Sequence, residues 1–197
     1  MIGVLPEHLI VGDTDYPIRS DYRCVLQVFE VFNDSELTRE EKWIVAVYLL
    51  LEPFTCDDDV LEAIENGFDV NEAVKQIIWF ITAGKALGEE TELPVYDWAQ
   101  DEQMIFSAVN KVAGKETREL EYLHWWTFLG YFNEVGEGTF SFIVGIRSKL
   151  NKKKKLEKHE KEFLSHNKEL VKFEKPRTKE EQKEEDEYQD LLSEVLG

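Results

Sequence analysis

Residues 69–84 read DVNEAVKQIIWFITAG, and this stretch decides the fold class because it contains a complete helix signal. Asp69 is a residue type that caps helix N-termini, and Gly84 is one that ends helices. Between them the apolar side chains recur every three to four residues, at Val70, Val74, Ile77, Ile78 and Ile81. That period is helical, because a half-buried strand would alternate every two residues.

Similar signals on both sides of this stretch predict six or seven helices. Thr38 and Glu41 form a capping-box pattern at the start of one helix, and Asn66-Gly67 is a C-terminal cap pattern at the end of another. Residues 8–18 differ, since two short apolar runs flank the turn sequence GDTD and predict a β-hairpin. Strands and helices do not alternate further along, so the predicted fold is a mainly α bundle with a small N-terminal hairpin.

Charge divides the chain into two parts. Residues 1–148 carry 28 acidic and 10 basic side chains, and therefore the whole net charge of −18, whereas residues 149–197 carry 13 of each. All five tryptophans lie in the first part. We therefore expect a globular helical domain at 1–148 that folds without a charged helical appendage at 149–197.

The appendage ends in an apolar stripe that has no core of its own. Its members share i, i+3, i+4, i+7 spacing on one helix face: Tyr188, Leu191, Leu192 and Val195. We expect this stripe to dock either on its own domain or on a second copy, which would form a homo-oligomer. The acidic residues 180–187 have two expected partners as well, the lysine run at 152–155 of the same chain or that of another subunit.

Composition argues against several classes of protein. A net charge of −18 would repel phosphates, so we expect no nucleic-acid partner. The longest apolar run, at 43–51, has nine residues, far below the roughly 20 that a membrane-spanning helix needs, so we expect no membrane partner. Two cysteines are too few for a disulfide framework or a zinc knuckle.

The motifs predict neither catalysis nor a cofactor nor a metal. The acidic triplet at 57–59 lacks the spacing of a calcium loop and matches the acidic first turn of a helix. The glycines at 136 and 138 lack the Gly-Lys-Ser/Thr that completes a phosphate loop. His124 has no carboxylate and nucleophile in a recognisable arrangement, so we expect a packing residue with one hydrogen bond. We therefore expect a protein that is not an enzyme.

The most aromatic stretch is LHWWTFLGYFN at 123–133, and it predicts a helix from Thr117 to about Val135. Trp125, Phe128 and Phe132 fall on one face of that helix by their spacing. Such a face has two interpretations: it is part of the core, or it lines a groove that binds the apolar stripe of a partner helix. The residues themselves leave both interpretations open.

Three stretches taken together resemble the bacteriophage gp-fifteen family of long-tailed phages of Gram-positive bacteria. They are YPIRSDYR at 16–23, LPVYDWAQD at 93–101, and LHWWTFLGYFN followed by GTF at 138–140 and GIR at 145–147. The resemblance covers about residues 8–155. It implies a tail assembly chaperone, encoded beside the tape measure gene, that has no catalytic residues.

The resemblance also implies partners and a location. The main partner would be the tape measure protein, held in solution by aromatic anchors for which Trp125, Phe128 and Phe132 are the candidates. A second component of the chaperone and the major tail tube protein are further expected partners. The protein would act in the cytoplasm of the bacterial host and be absent from mature virions. The alternative is a structural virion protein of the tail or neck.

Overall fold

The computed structural model describes residues 2–85 and 94–173. Two strands precede the helices, in the order β1 His8–Val11, β2 Thr14–Pro17, α1 Tyr22–Asn33, α2 Arg39–Leu50, α3 Asp57–Glu65, α4 Val70–Ile81, α5 Glu102–Ala113, α6 Trp125–Asn133, α7 Thr139–Asn151, α8 Lys158–His166 and α9 Lys168–Val171. A 3-10 turn at Thr117–Glu119 lies between α5 and α6. The predicted mainly helical fold with an N-terminal hairpin is confirmed.

Local capping residues fix many of the helix ends. At the start of α4 the carboxylate of Asp69 accepts a hydrogen bond from the backbone N–H of Glu72 at 3.0 Å. At the start of α2 the predicted capping box of Thr38 and Glu41 is present in both directions. α5 ends at Gly114, whose φ of +69° places it in the left-handed region that favours glycine. These signals act over a few residues, which is why the sequence alone could predict them.

The hairpin is held on the bundle by one of its faces. β1 and β2 are antiparallel, with Leu9 opposite Tyr16 and Val11 opposite Thr14. Leu9 and Val11 are buried, whereas Ile10 between them is exposed. Because β1 contacts α4, the buried face of this strand covers one side of the bundle. A two-stranded sheet is marginal alone, and this packing stabilises it.

The main core lies among α1, α2, α4, α5 and α6. Helix α1 packs on α2, α2 packs on α4, and α6 packs on both α1 and α5. Fully buried side chains come from each of these elements, including Val25, Val47, Ile77, Val109 and Phe128. Among the helices in the described ranges, none has the length and apolar character that crossing a bilayer would require.

The aromatic helix is shorter than the sequence predicts. Helix α6 begins at Trp125 because His124 caps it, accepting a hydrogen bond from the backbone N–H of Trp126 through Nδ1 at 3.0 Å. Residues Thr117–Glu119 form the separate 3-10 turn instead. The side-chain oxygen of Asn110 fixes this turn, since it accepts bonds from both the N–H and the hydroxyl of Thr117 at 2.8 Å.

Helix α5 begins several residues after the helix-capping residue type at Asp97. Its first residue is Glu102. The Asp97 carboxylate accepts hydrogen bonds from the backbone N–H groups of Ala99 and Gln100, at 2.9 and 2.8 Å. Asp97 is therefore a capping residue, but the element that it caps is a turn that precedes the helix.

Helix α7 runs through the expected boundary at residue 148 and ends at Asn151. Beyond it, Leu156 and Val171 are buried against Ile143 and Ile146 of α7 in a second apolar cluster. Residues up to 173 are thus packed on the rest of the structure. The division of the chain at 148 stays a prediction, and residues 174–197 lie outside the described residues.

Candidate protein-binding surfaces

The predicted anchors on α6 lie inside the protein. Trp125 is 1% exposed and Phe128 is 0% exposed, while Phe132 is half-buried. The Phe128 ring stacks on the ring of Tyr22 with centroids 4.5 Å apart. Neither Trp125 nor Phe128 is accessible to a partner in this structure, which favours the core interpretation. The stripe Tyr188, Leu191, Leu192 and Val195 lies outside the described residues.

The adjacent tryptophans at the start of α6 bind the C-terminal end of α4. The indole N–H of Trp125 donates to the carbonyl of Ile81, and that of Trp126 donates to the carbonyl of Phe80, both at 2.8 Å. The last carbonyls of a helix have no i+4 partner within the helix, and the bond from Trp125 satisfies that of Ile81. The carbonyl of Phe80 also accepts from the backbone N–H of Ala83 at 3.2 Å, so the bond from Trp126 is a second one. The Trp-Trp pair therefore joins two helices rather than forming a ligand site.

The first of the three stretches, YPIRSDYR, is joined to the start of α6 by hydrogen bonds. The Asp21 carboxylate caps α1 and also accepts a bond from the backbone N–H of Leu123 at 2.9 Å. His124 makes two hydrogen bonds, not the single one predicted. Because its Nδ1 accepts from Trp126, its Nε2 carries the proton and donates to the carbonyl of Pro6 at 2.9 Å. Both ring nitrogens are occupied, so this histidine is not placed to act as a base.

Arg147 and Asp101 form a buried ion pair that sequence reasoning missed. The two side chains are 3% and 1% exposed, and the guanidinium donates to both carboxylate oxygens at 2.6 and 3.0 Å. It also donates to the carbonyls of Leu170 and Val171, at 3.0 and 2.9 Å. One arginine thus holds α7, the start of α5 and the end of α9 together. Asp101 and Arg147 are the last residues of two of the three stretches that carry the family resemblance. That resemblance was the only feature of the sequence that pointed to these two residues.

Arg19 has a similar role at the end of α2. Its guanidinium donates to the backbone carbonyls of Tyr48, Leu51, Glu52 and Phe54, at distances from 2.7 to 3.0 Å. The polar side chains of the three stretches are therefore engaged in holding helix ends. Burial also raises the pKa of the Cys24 thiol, which keeps it protonated and weakly nucleophilic at neutral pH.

The acidic triplet is the first turn of α3, as predicted. The Asp59 carboxylate accepts hydrogen bonds from the N–H and the hydroxyl of Thr55, at 2.7 and 2.6 Å, and these bonds lower its pKa. Ligand-type atoms of Cys56, Asp57 and Asp58 lie within 4.8 Å of one another. The positive end of the helix dipole accounts for carboxylates at this position.

A groove of about 530 Å³ runs along the outer face of α5. On the α5 side it is lined at helical spacing by Met104, Ala108 and Val112, and on the other side by Val135 and Phe140. We call these five residues and the space between them the α5 groove. Its centre is apolar, and Val112 is 37% exposed.

The rim of the α5 groove is polar and mainly acidic. Glu134 and Glu137 are exposed on the lip formed by residues 134–141. Lys111 stands opposite them, and its ammonium donates to the backbone carbonyl of Glu137 at 3.3 Å. The predicted anchor Phe132 lies behind this lip, with its ring centroid 5.8 Å from that of Phe140. Phe132 therefore supports a groove wall without lining it.

A second depression of about 410 Å³ lies between α1 and the start of α5. Its two arginines are already paired, Arg23 with Asp21 at 3.0 Å and Arg118 with Glu116 at 2.8 Å. Hydrogen bonds from Arg118 lower the pKa of Glu116 to about 2, so this pair stays charged at neutral pH. Because its two arginines already have partners, this depression is the weaker candidate for a binding surface.

Comparison with known proteins agrees with the resemblance seen in the sequence. The fold and its helix-joining polar residues define a helical protein with an open apolar groove. The chain belongs to the Bacteriophage Gp15 protein family, whose model matches residues 5–173. No curated protein and no solved structure matches the chain. Family membership makes it a structural or assembly protein of a bacteriophage.

Proposed function

We propose that this protein is a non-enzymatic tail assembly chaperone that binds the tape measure protein through the α5 groove. The observation that supports the proposal is an open apolar groove on a strongly acidic protein of a phage assembly family. A groove lined by apolar side chains at helical spacing is one of the recurrent ways in which proteins bind an amphipathic helix of a partner. The acidic surface keeps a protein soluble at the concentration that a stoichiometric chaperone requires.

The dimensions of the groove suit one helix of the client. From Gln103 to Val112 the face of α5 extends about 14 Å, which is roughly two and a half helical turns. A helix with apolar side chains at i, i+3 and i+4 would place them on Met104, Ala108 and Val112. Basic residues at the edges of such a helix would meet Glu134 and Glu137. Because the centre is apolar, moderate salt should weaken binding only slightly.

Holding and release would follow from mass action. The sequence has no phosphate loop that could drive a nucleotide cycle. A client that binds the growing tail more tightly than the chaperone would leave the chaperone as the tail assembles. The second chaperone component and the major tail tube protein are further proposed partners. The proposed location is the host cytoplasm, with the protein absent from mature virions.

Co-expression with the tape measure protein tests the proposal. Wild-type protein should raise the soluble fraction of the client, and Val112→Glu should abolish the effect because it puts a carboxylate in the apolar centre. Leu61→Glu on α3 is the matched control, since Leu61 is also an exposed helical aliphatic residue, at 44%. Equal insolubility of the client with and without the wild-type protein would contradict the chaperone role. A constant number of copies of the protein in each purified virion would favour a structural subunit instead.

A further inference from the structure

In the part of the chain that the structure describes, three helices end in the same hydrogen-bond pattern, and one of the three uses glycine. In the Schellman motif, the first residue past the C-cap is left-handed and is usually glycine. At the end of α3 this residue is Gly67, with φ +95°. At the end of α4 it is Ala83, with φ +51°, and at the end of α7 it is Lys153, with φ +53°.

The pattern at α7 is complete. The N–H of Lys153 donates to the carbonyl of Leu150 at 3.0 Å, and the N–H of Lys154 donates to that of Lys149 at 2.7 Å. A side chain larger than glycine is strained in this backbone region, so the lysine at 153 has a cost that glycine would remove. The backbone conformation therefore does not account for the lysine at this position.

The strained residue lies in a turn of exposed lysines, residues 152–155, which we call the lysine turn. Both of its flanks are fixed. After the lysine turn, Leu156 is buried. Before the lysine turn, Lys149 makes an ion pair with Glu160 at 2.6 Å. Within residues 2–85 and 94–173, Lys153, Lys154, Lys155 and Lys158 form no ion pair.

We infer that the lysine turn binds the acidic residues 180–187 of the same chain. This stretch reads EEQKEEDE and carries six carboxylates and one lysine. It lies outside the described residues, and the inference concerns only which surface it binds. Residues 149–173 carry nine lysines and four glutamates, so they form a basic region on a chain whose net charge is −18.

The chain is long enough for this contact. The last described residue, Phe173, lies with its ring 5.1 Å from the Arg147 guanidinium. Lys153 follows Arg147 by six residues, which corresponds to about 9 Å at the rise of a helix. The seven residues from 173 to 180 reach up to about 23 Å when extended. A tether this short gives a local concentration on the order of millimolar, which favours the chain's own acidic stretch over another copy's.

Zero-length carbodiimide coupling of the full chain tests the inference, because it joins an amine to a carboxylate only when they touch. An equal mixture of nitrogen-15-labelled and unlabelled protein distinguishes contacts within a chain from contacts between chains. We expect peptides that join 153–158 to 180–187, with both halves carrying the same label. Their yield should fall about threefold or more when salt is raised to about 0.5 M. The Lys75–Glu72 pair, at 3.1 Å, is the internal control for coupling.

Two outcomes would overturn the inference. One is the absence of these peptides while the control pair couples, and the other is mixed labels in about half of the peptides, the fraction that random pairing of an equal mixture gives, which would assign the contact to a second copy. Lys153→Gly and Ala83→Gly give a matched comparison. Both should raise the melting temperature, because both relieve the same backbone strain, but only Lys153→Gly should lower the yield of the coupled peptides. Equal yields from the two variants would mean that Lys153 does not contribute.

Discussion

Removing the guanidinium of Arg147 should be the most damaging single change at the junction of α5, α7 and α9. In Arg147→Met, the carboxylate of Asp101, 1% exposed, loses its cationic partner. Breaking a buried ion pair from one side costs about 3–5 kcal/mol. The carbonyls of Leu170 and Val171 also lose their donor. The total is a large part of the roughly 5–15 kcal/mol by which a domain is stable.

Urea unfolding followed by tryptophan fluorescence measures this loss as a change in the free energy of unfolding. Lys149→Met is the control, because its pair with Glu160 has a more exposed cation, with Lys149 35% exposed, and should stabilise the fold less. The double variant Arg147→Met with Asp101→Leu should be more stable than Arg147→Met alone, since no charge is left buried. A loss below about 1 kcal/mol for Arg147→Met would show that the pair is not the junction we describe.

Three further predictions follow from the packing. The free energy of unfolding of a chain ending at 150 should be roughly 3–6 kcal/mol lower, because the truncation removes the buried side chains of Leu156 and Val171. A chain ending at 173 should melt cooperatively like the full chain. Equal melting temperatures of the two truncated chains would support the division at 148. Trp126→Phe should cost about 1 kcal/mol in urea unfolding by removing the indole hydrogen bond to the carbonyl of Phe80, and the exposed Trp79→Phe should cost less than about 0.5 kcal/mol; equal losses would contradict a stabilising role for this hydrogen bond. The hydrogen bond from the Lys149 ammonium lowers the pKa of Glu160, so the stabilisation is present above pH 4.5 and is lost as the pH falls through the folded pKa. In a plot of the urea unfolding midpoint against pH, Glu160→Gln should therefore reduce the slope in this acidic range. An unchanged slope would contradict the prediction.

The features that the sequence predicted correctly depend on neighbouring residues. The cap at Asp69 and the capping box at Thr38 each need only three residues of sequence, so a pattern is sufficient to find them. The helical period of residues 69–84 is equally local, and it predicted α4 correctly. The start of α6 was wrong because Thr117 is a good capping residue type, while the hydrogen bond that decides the start comes from His124.

Contacts between distant residues could not be predicted in this way. Asp101 and Arg147 are 46 positions apart, and no rule of spacing relates an acid in a turn to a base on a later helix. The aromatic face of α6 shows the same limit. Periodicity placed Trp125 and Phe128 on one side, but both are buried because α6 packs against neighbours on several sides. The α5 groove lies instead on a helix whose apolar lining residues, Met104, Ala108 and Val112, are not aromatic.

Amide hydrogen exchange of the full chain, with and without a soluble fragment of the tape measure protein, tests the central claim most directly. The account predicts that the fragment slows exchange in residues 103–112 of α5 and in residues 134–141, which form the two sides of the α5 groove. The Val112→Glu variant should show no such change at the same fragment concentration. Protection confined to other elements, or none at a saturating concentration of the fragment, would contradict the claim that this groove binds the tape measure protein.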